Sequence, residues 1–101
     1  MNQKPYVSVI MPSYNVGDYI RECIESVIRQ TLKEIEIICV DSRSTDGTLD
    51  VLKEYAAKDN RITLLHSDVK SYGHQVNMGL AAAKGEYKAA TVKKTIKIKV
   101  K

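Results

Sequence analysis

Val7-Ser8-Val9-Ile10-Met11-Pro12-Ser13-Tyr14-Asn15 is an apolar, β-branched run that stops at a proline and opens into a polar stretch. A strand apolar on both faces belongs inside a parallel sheet, covered by helices on either side. In open sheets of that kind, ligands sit just beyond the carboxyl ends of the strands. Residues 12–18 are therefore expected to form the first wall of a binding crevice.

The same strand-then-loop-then-helix pattern follows twice more. The first unit is a strand over 7–11, a loop over 12–17 and a helix over 18–31. In that helix Ile20, Ile24, Val27 and Ile28 recur at helical spacing, and Asp18 is a good N-cap. The second is a strand over 35–40, a loop over 41–45 and a helix over 46–58 with Leu49, Leu52, Tyr55 and Ala56 as its buried stripe. Ser44, Thr45 and Asp46 offer side-chain oxygens to the free amides of its first turn. The third is a strand over 62–66, a loop over 67–72 and a helix over 73–84 whose inner face carries Val76, Leu80 and Ala83, with Gly85 as its C-cap. Alternation of this kind predicts an α/β fold, a three-layer parallel sheet with flanking helices joined by right-handed crossovers.

At 101 residues the chain is one domain at most. Its formal net charge of +4 is unevenly placed. Residues 1–87 hold ten Lys/Arg against twelve Asp/Glu, whereas residues 88–101 hold six lysines and no acid. The basicity thus belongs to the tail and does not mark the domain as a nucleic-acid binder. Within the tail, Ile96, Ile98 and Val100 alternate with Lys97, Lys99 and Lys101, which fits either an edge strand blunted by lysine or a frayed basic end. Cys23 and Cys39 have no CxxC spacing and read as small buried hydrophobes, neither disulfide partners nor metal ligands. No charged leader with an apolar core stands in the sequence, nor any apolar run of about 18 residues. A reduced, cytoplasmic protein without a membrane segment is expected.

All three strand-to-helix loops must emerge on one edge of a parallel sheet, so residues about 25 apart become neighbours. Pro12, Ser13, Tyr14 and Asn15 meet Asp41, Ser42, Arg43, Ser44 and Asp46, together with Asp68, Ser71 and Tyr72. A ring that stacks, carboxylates that accept from a base or ribose, and helix ends that favour phosphate together suit a nucleotide. Ser44, Thr45 and Asp46 serve equally as ordinary caps and turn formers. There is no GxGxxG after the first strand and no GxxxxGK[ST], which argues against a dinucleotide fold and a P-loop. His66 and His74 have no partners at metal-ligand spacing and read as structural or surface residues.

Three segments in order, VSVIMPSYNVGDYIRECIESVIRQT, EIEIICVDSRSTDGT and GHQVNMGLAAAKGEY, closely resemble the front half of the family-two glycosyltransferases, nucleotide-sugar enzymes of the GT-A fold. The resemblance covers about residues 5–87. It implies that Pro12, Tyr14 and Asn15 border the nucleoside, that Asp41 belongs to the acidic pair contacting the base, and that Asn77 sits near the diphosphate. It also implies a nucleotide-sugar donor as partner and a divalent metal, Mg or Mn, for full-length members. No cofactor is expected in this chain itself.

Departures from the family pattern shape the expectation further. Where the family reads Asp-Asp-Gly-Ser, this chain reads Asp41-Ser42-Arg43-Ser44, losing one carboxylate and replacing a glycine with a bulky cation. Where the family has an apolar strand ending in Asp-x-Asp, ungapped alignment puts Val92 and Lys94. Lysine has no acceptor for a hard cation. The chain therefore divides into a nucleotide-sugar-binding half over 1–87 and a Lys-rich tail over 88–101. It is expected to be a truncated, inactive fragment of an enzyme that transfers sugar to a carbohydrate or lipid-linked acceptor. The alternatives are a non-enzymatic nucleotide-binding or assembly module, and a basic adaptor using the tail. In the resembled fold the strand order is 3-2-1, with a fourth strand beside the first. Without that strand, residues 7–11 would be an apolar edge, to be covered by residues 95–100 of the same chain or of a second copy. A homodimer through the first strand or the tail is the corresponding expectation.

Overall fold

The structure, a computed structural model, describes residues 7–29, 34–92 and 95–99. Its elements run β1 (Val7–Ser13), α1 (Gly17–Ile28), β2 (Ile35–Asp41), α2 (Thr48–Lys58), β3 (Ile62–His66), α3 (Tyr72–Ala82), β4 (Tyr87–Val92) and β5 (Thr95–Lys99). The strands form one sheet in the order β3-β2-β1-β4-β5, with the first four mutually parallel and β5 antiparallel to β4.

Two apolar layers explain why β1 and β2 are hydrophobic on both faces. Val9, Met11, Ile37 and Cys39 point to one side, where Ile20, Ile24 and Val27 of α1 and Leu52 and Tyr55 of α2 close over them. Ile10, Ile38 and Val40 point to the other and meet Val76 of α3, with Leu65, Met78 and Leu80 alongside. The side-chain period of two along each strand sends alternate residues into the two cores. Ile28 stands at the margin of the first core and is only half-buried.

Several boundaries differ from expectation for identifiable reasons. β1 continues through Pro12 to Ser13, in register with Val40 and Asp41 of β2. Its pairing with β4 ends at Ile10, so past that point one edge of the strand asks for no ladder donor and a proline is tolerated. α1 begins at Gly17 with Val16 as N-cap, so Asp18 lies inside the first turn and does not cap it. α2 starts after Gly47, whose φ of +97° is a left-handed turn that glycine accommodates. α3 ends at Ala82 with Ala83, not Gly85, as its C-cap. Gly85 is instead packed against β1, where an added Cβ would lie 2.6 Å from the Ser8 hydroxyl oxygen.

The cover for β1 also differs. Residues 87–90 pair with Val7–Ile10, so the strand beside β1 is β4 and not the expected 95–100 segment. Of that segment the described residues Thr95–Lys99 lie one place further out, and Val100 falls outside the described residues. β1 thus has a neighbour on each side along Val7–Ile10 and offers no free edge there for a second copy. The return from α3 brings the chain back parallel to β1 just after Gly85. No helix among the described residues is long and apolar enough to cross a membrane.

Candidate functional site

The loops following β1, β2 and β3 (residues 14–16, 42–47 and 67–71) share the carboxyl edge of the sheet. Asp41, the last residue of β2, is completely buried beneath them. Its Oδ1 accepts from the hydroxyls of Ser13 at 2.7 Å and Ser44 at 2.6 Å, and its Oδ2 accepts from the Ser44 amide at 2.9 Å. The Asp41 carbonyl accepts from the Ser67 amide at 2.8 Å. One residue therefore ties all three loop bases together.

Asn15 makes a second tie. It takes a left-handed φ of +49°, which asparagine tolerates better than most residues. In that conformation its amide donates to Ser44 Oγ at 2.9 Å while its Oδ1 accepts from the Thr45 amide at 2.7 Å. The start of α1 is held by the second loop. The Val16 amide donates to Thr48 Oγ1 at 3.0 Å and the Gly17 amide to Asp46 Oδ2 at 2.9 Å, while Asp46 Oδ1 accepts from Thr48. The hydrogen bonds from the Thr48 hydroxyl, first, and the Gly17 amide hold the Asp46 carboxyl below its ordinary range. Asp46 thus serves two helix starts at once, and these α1 amides are already engaged within the chain. Asp46 was expected to cap only its own helix.

At the mouth, Tyr14 is exposed and Lys70 reaches over it, with Nζ 2.9 Å from the phenol oxygen and 4.5 Å from the ring centre. Arg43, at φ +55°, pairs with Asp68 at 2.6 Å. Ser42 is buried, its amide donating to the Ser13 carbonyl at 3.0 Å and its hydroxyl to the Val69 carbonyl at 2.9 Å. Pro12 is half-buried within β1, and Asn77 is exposed on α3. Of the residues expected at the site, Tyr14, Asn15 and Asp41 are gathered around the first two loops.

Gln75 was not anticipated. Only 4% exposed, it donates through Nε2 to the carbonyls of Ser13 and Val40, each at 2.8 Å. An amide within an otherwise apolar helix stripe beside Val76 was the available signal. The sequence also hides the fate of Cys39, whose thiol is pushed up to about 12 by burial, with the Asp41 charge adding to the effect.

Among the described residues no group of three or more His, Cys, Asp or Glu side chains is placed to hold a metal ion. Asp41 is saturated by its own loops, Asp68 faces Arg43, and Lys94 lies outside the described residues. The donors present do not fit a hard divalent cation, which requires several oxygen ligands converging on one point.

A mostly parallel sheet, three flanking helices and a polar loop cluster on its carboxyl edge define a Rossmann-like α/β unit. Residues 8–90 match the family described as Glycosyl transferase family 2, and the chain belongs to that family. It is 44% identical over 82 residues to Glycosyltransferase GlyG of Streptococcus pneumoniae, covering 80% of this chain and 27% of that protein. Its fold superposes at TM-score 0.80 and 30% identity on the mannosyltransferase PcManGT from Pyrobaculum calidifontis, in complex with GDP-Man and Mn2+, covering 91% of this chain and 28% of that one. It also matches S. aureus TarS 1-349 in complex with UDP-GlcNAc at TM-score 0.79 and 32% identity, covering 88% and 26%. The unit is thus of the GT-A type, and the chain spans about a quarter of the length of these relatives.

Proposed function

We propose that this chain is the donor-nucleotide-binding portion of a glycosyltransferase that moves sugar from a nucleoside-diphosphate sugar to a carbohydrate or lipid-linked acceptor. The observation that carries the reading is the knitting of the first two loops by Asn15 and Asp41 beneath an exposed Tyr14. Pro12, Tyr14 and Asn15 border the nucleoside, and the Tyr14 ring supplies the stacking face. Asp41 shapes the base pocket through Ser13 and Ser44, and a direct contact with the base requires the Ser44 hydroxyl to swing away. Asn77 lies towards the diphosphate. The relatives crystallised with GDP-Man and with UDP-GlcNAc support a nucleotide-sugar ligand.

Val92 and Lys94 stand where the family carries its metal-binding acids, so this chain binds without turning over, and no step through a metal is assigned to it. Full-length members are expected to use Mg or Mn. Cys23 and Cys39, read as thiols, support a cytoplasmic location.

NMR titration with uridine diphosphate tests the reading. Weak binding, on the order of millimolar or about −4 kcal/mol, is expected. It should shift resonances of residues 12–15, 41–46 and 68–73, with no tightening by Mn2+. Shifts scattered elsewhere, or none at high ligand concentration, would overturn the binding site. Metal-stimulated donor hydrolysis by the purified chain would overturn the assignment of no turnover.

A further inference from the structure

Gln75 sits where the fold calls for an apolar side chain. It faces the sheet from α3 beside Val76 and Gly79, both buried, and a methionine of similar length would fill its space. What the carboxamide alone supplies is a pair of N–H donors, and it spends them on two carbonyls of adjacent strands. One belongs to Ser13, the last residue of β1; the other to Val40, the residue before Asp41 in β2. A buried amide is costly unless bonded, and this one is bonded at both hydrogens.

The two carbonyls are where the crevice begins. Tyr14 and Asn15 follow Ser13 directly, and Asp41 and Ser42 follow Val40. The Ser13 carbonyl also accepts from the Ser42 amide at 3.0 Å, so Gln75 and the second loop together saturate it. Gln75 therefore fixes how far apart the ends of β1 and β2 stand and locks that spacing to α3.

We propose that Gln75 is a positioning residue for nucleotide binding. It touches no ligand, but sets the separation of the two loops that border the nucleoside. The proposal rests on the functional reading above. Its action runs through the Ser13 and Val40 carbonyls to Tyr14 and Asp41, whose relative placement a nucleoside must match to within a fraction of an ångström.

The test uses the full 101-residue chain and uridine diphosphate as probe. Gln75→Met keeps the volume and removes both donors. Gln75→Asn keeps an amide that is one methylene too short to span both carbonyls, and it covers the case in which the methionine variant fails to fold. Val76→Ala, on the same helix, loses stability without touching either carbonyl. Both Gln75 variants are expected to bind about tenfold more weakly, the equivalent of one buried hydrogen bond left unmade. Amide shifts should appear at residues 13–15 and 41–44 even without ligand. Val76→Ala should bind as the unaltered chain does. Gln75 variants with unaltered affinity, shifts confined to α3, or equal weakening by Val76→Ala would each overturn the positioning role. If the unaltered chain does not bind the probe, the functional reading falls. The loop spacing is then judged on the ligand-free amide shifts alone.

Discussion

Lys70 Nζ stands 2.9 Å from the Tyr14 hydroxyl and 4.5 Å from the centre of its ring, so the loop after β3 reaches across to the loop after β1. Both side chains are exposed, and the contact occupies part of the aromatic surface that a nucleoside would stack on. An exposed cation–π contact of this kind is worth about 0.5–1 kcal/mol. Lys70→Met is therefore expected to tighten binding of neutral uridine roughly two- to fivefold, the affinity equivalent of that contact. NMR titration of the variant against the unaltered chain measures it. Weaker binding would mean that Lys70 reaches the ligand instead of competing with it.

Arg43 occupies the left-handed region at φ +55°, where a side chain without a special local hydrogen bond is strained by about 1–2 kcal/mol. Its ion pair with Asp68 is highly exposed at both partners and offsets little of that. Arg43→Gly removes the strain and adds the chain entropy of glycine, which costs about 0.5–1 kcal/mol. The expected net result is a stability gain of about 0.5–1 kcal/mol in urea denaturation. A loss beyond about 0.5 kcal/mol would show that the Asp68 pair outweighs the backbone term.

The three strand-loop-helix units were legible because strands buried on both faces leave unbroken apolar runs such as Val9-Ile10-Met11 and Ile37-Ile38-Cys39-Val40. β4 was hidden because Lys88 interrupts its run, although in the fold Lys88 is buried at the position paired with Ser8. Helix starts were misjudged where the partner is distant in sequence. Asp18 is local to α1, but its first amides are met by Asp46 and Thr48 from another loop. The site was legible to the same extent. Turn residues placed Tyr14, Asn15 and Asp41 on one edge, while the Gln75 and Lys70 contacts exist only once α3 and the third loop are docked.

Gly79 sets two rules against each other. On an exposed helix surface, glycine to alanine gains about 1 kcal/mol. Here a Cβ would sit 2.5 Å from Ile10 Cγ2 and 2.8 Å from Ile10 Cγ1, and Ile10 is fully buried with no room to retreat. Forcing a methyl into a packed core costs about 1–3 kcal/mol or more. Gly79→Ala is expected to be destabilising by about 1–3 kcal/mol in urea denaturation, because α3 must lift from β1. Gly79→Ala with Ile10→Val should recover part of that loss. A stabilised single variant would show that α3 docks more loosely on the sheet.

The two cysteines should differ sharply in chemistry. Cys39 is fully buried in β2 and its thiol is pushed up to about 12 by that burial, so at pH 8 very little of it is the thiolate that reacts. Cys23, half-buried on α1, has access to solvent. Iodoacetamide is expected to label Cys23 first in the native protein, with Cys39 labelled only after denaturant is added. Mass spectrometry of tryptic peptides reads this directly, and equal native labelling would contradict the burial of β2.

Asp59 and Arg61 close the turn between α2 and β3. Asp59 Oδ1 accepts from the Arg61 amide and Nε, each at 3.0 Å, and Oδ2 from Nη2 at 2.7 Å. The Arg61 side-chain hydrogen bonds, with its amide and charge, hold the Asp59 carboxyl below its ordinary range. A carboxyl lowered in the folded state contributes stability that is complete above its unfolded value, about 3.9, and is lost as pH falls through the lowered folded value. Asp59→Asn keeps one oxygen for the Arg61 amide and Nε, and removes the charge together with the acceptor for Nη2. At pH 7 it should cost about 1 kcal/mol, the scale of a partly buried charged hydrogen-bond pair. As pH falls below about 3.9, the unaltered protein should converge on the variant. Urea denaturation of both proteins from pH 7 to pH 2 would show the curves merging on the acid side. A difference that persisted undiminished at pH 2 would mean that the packing of the turn, and not the Asp59 charge, carries the effect.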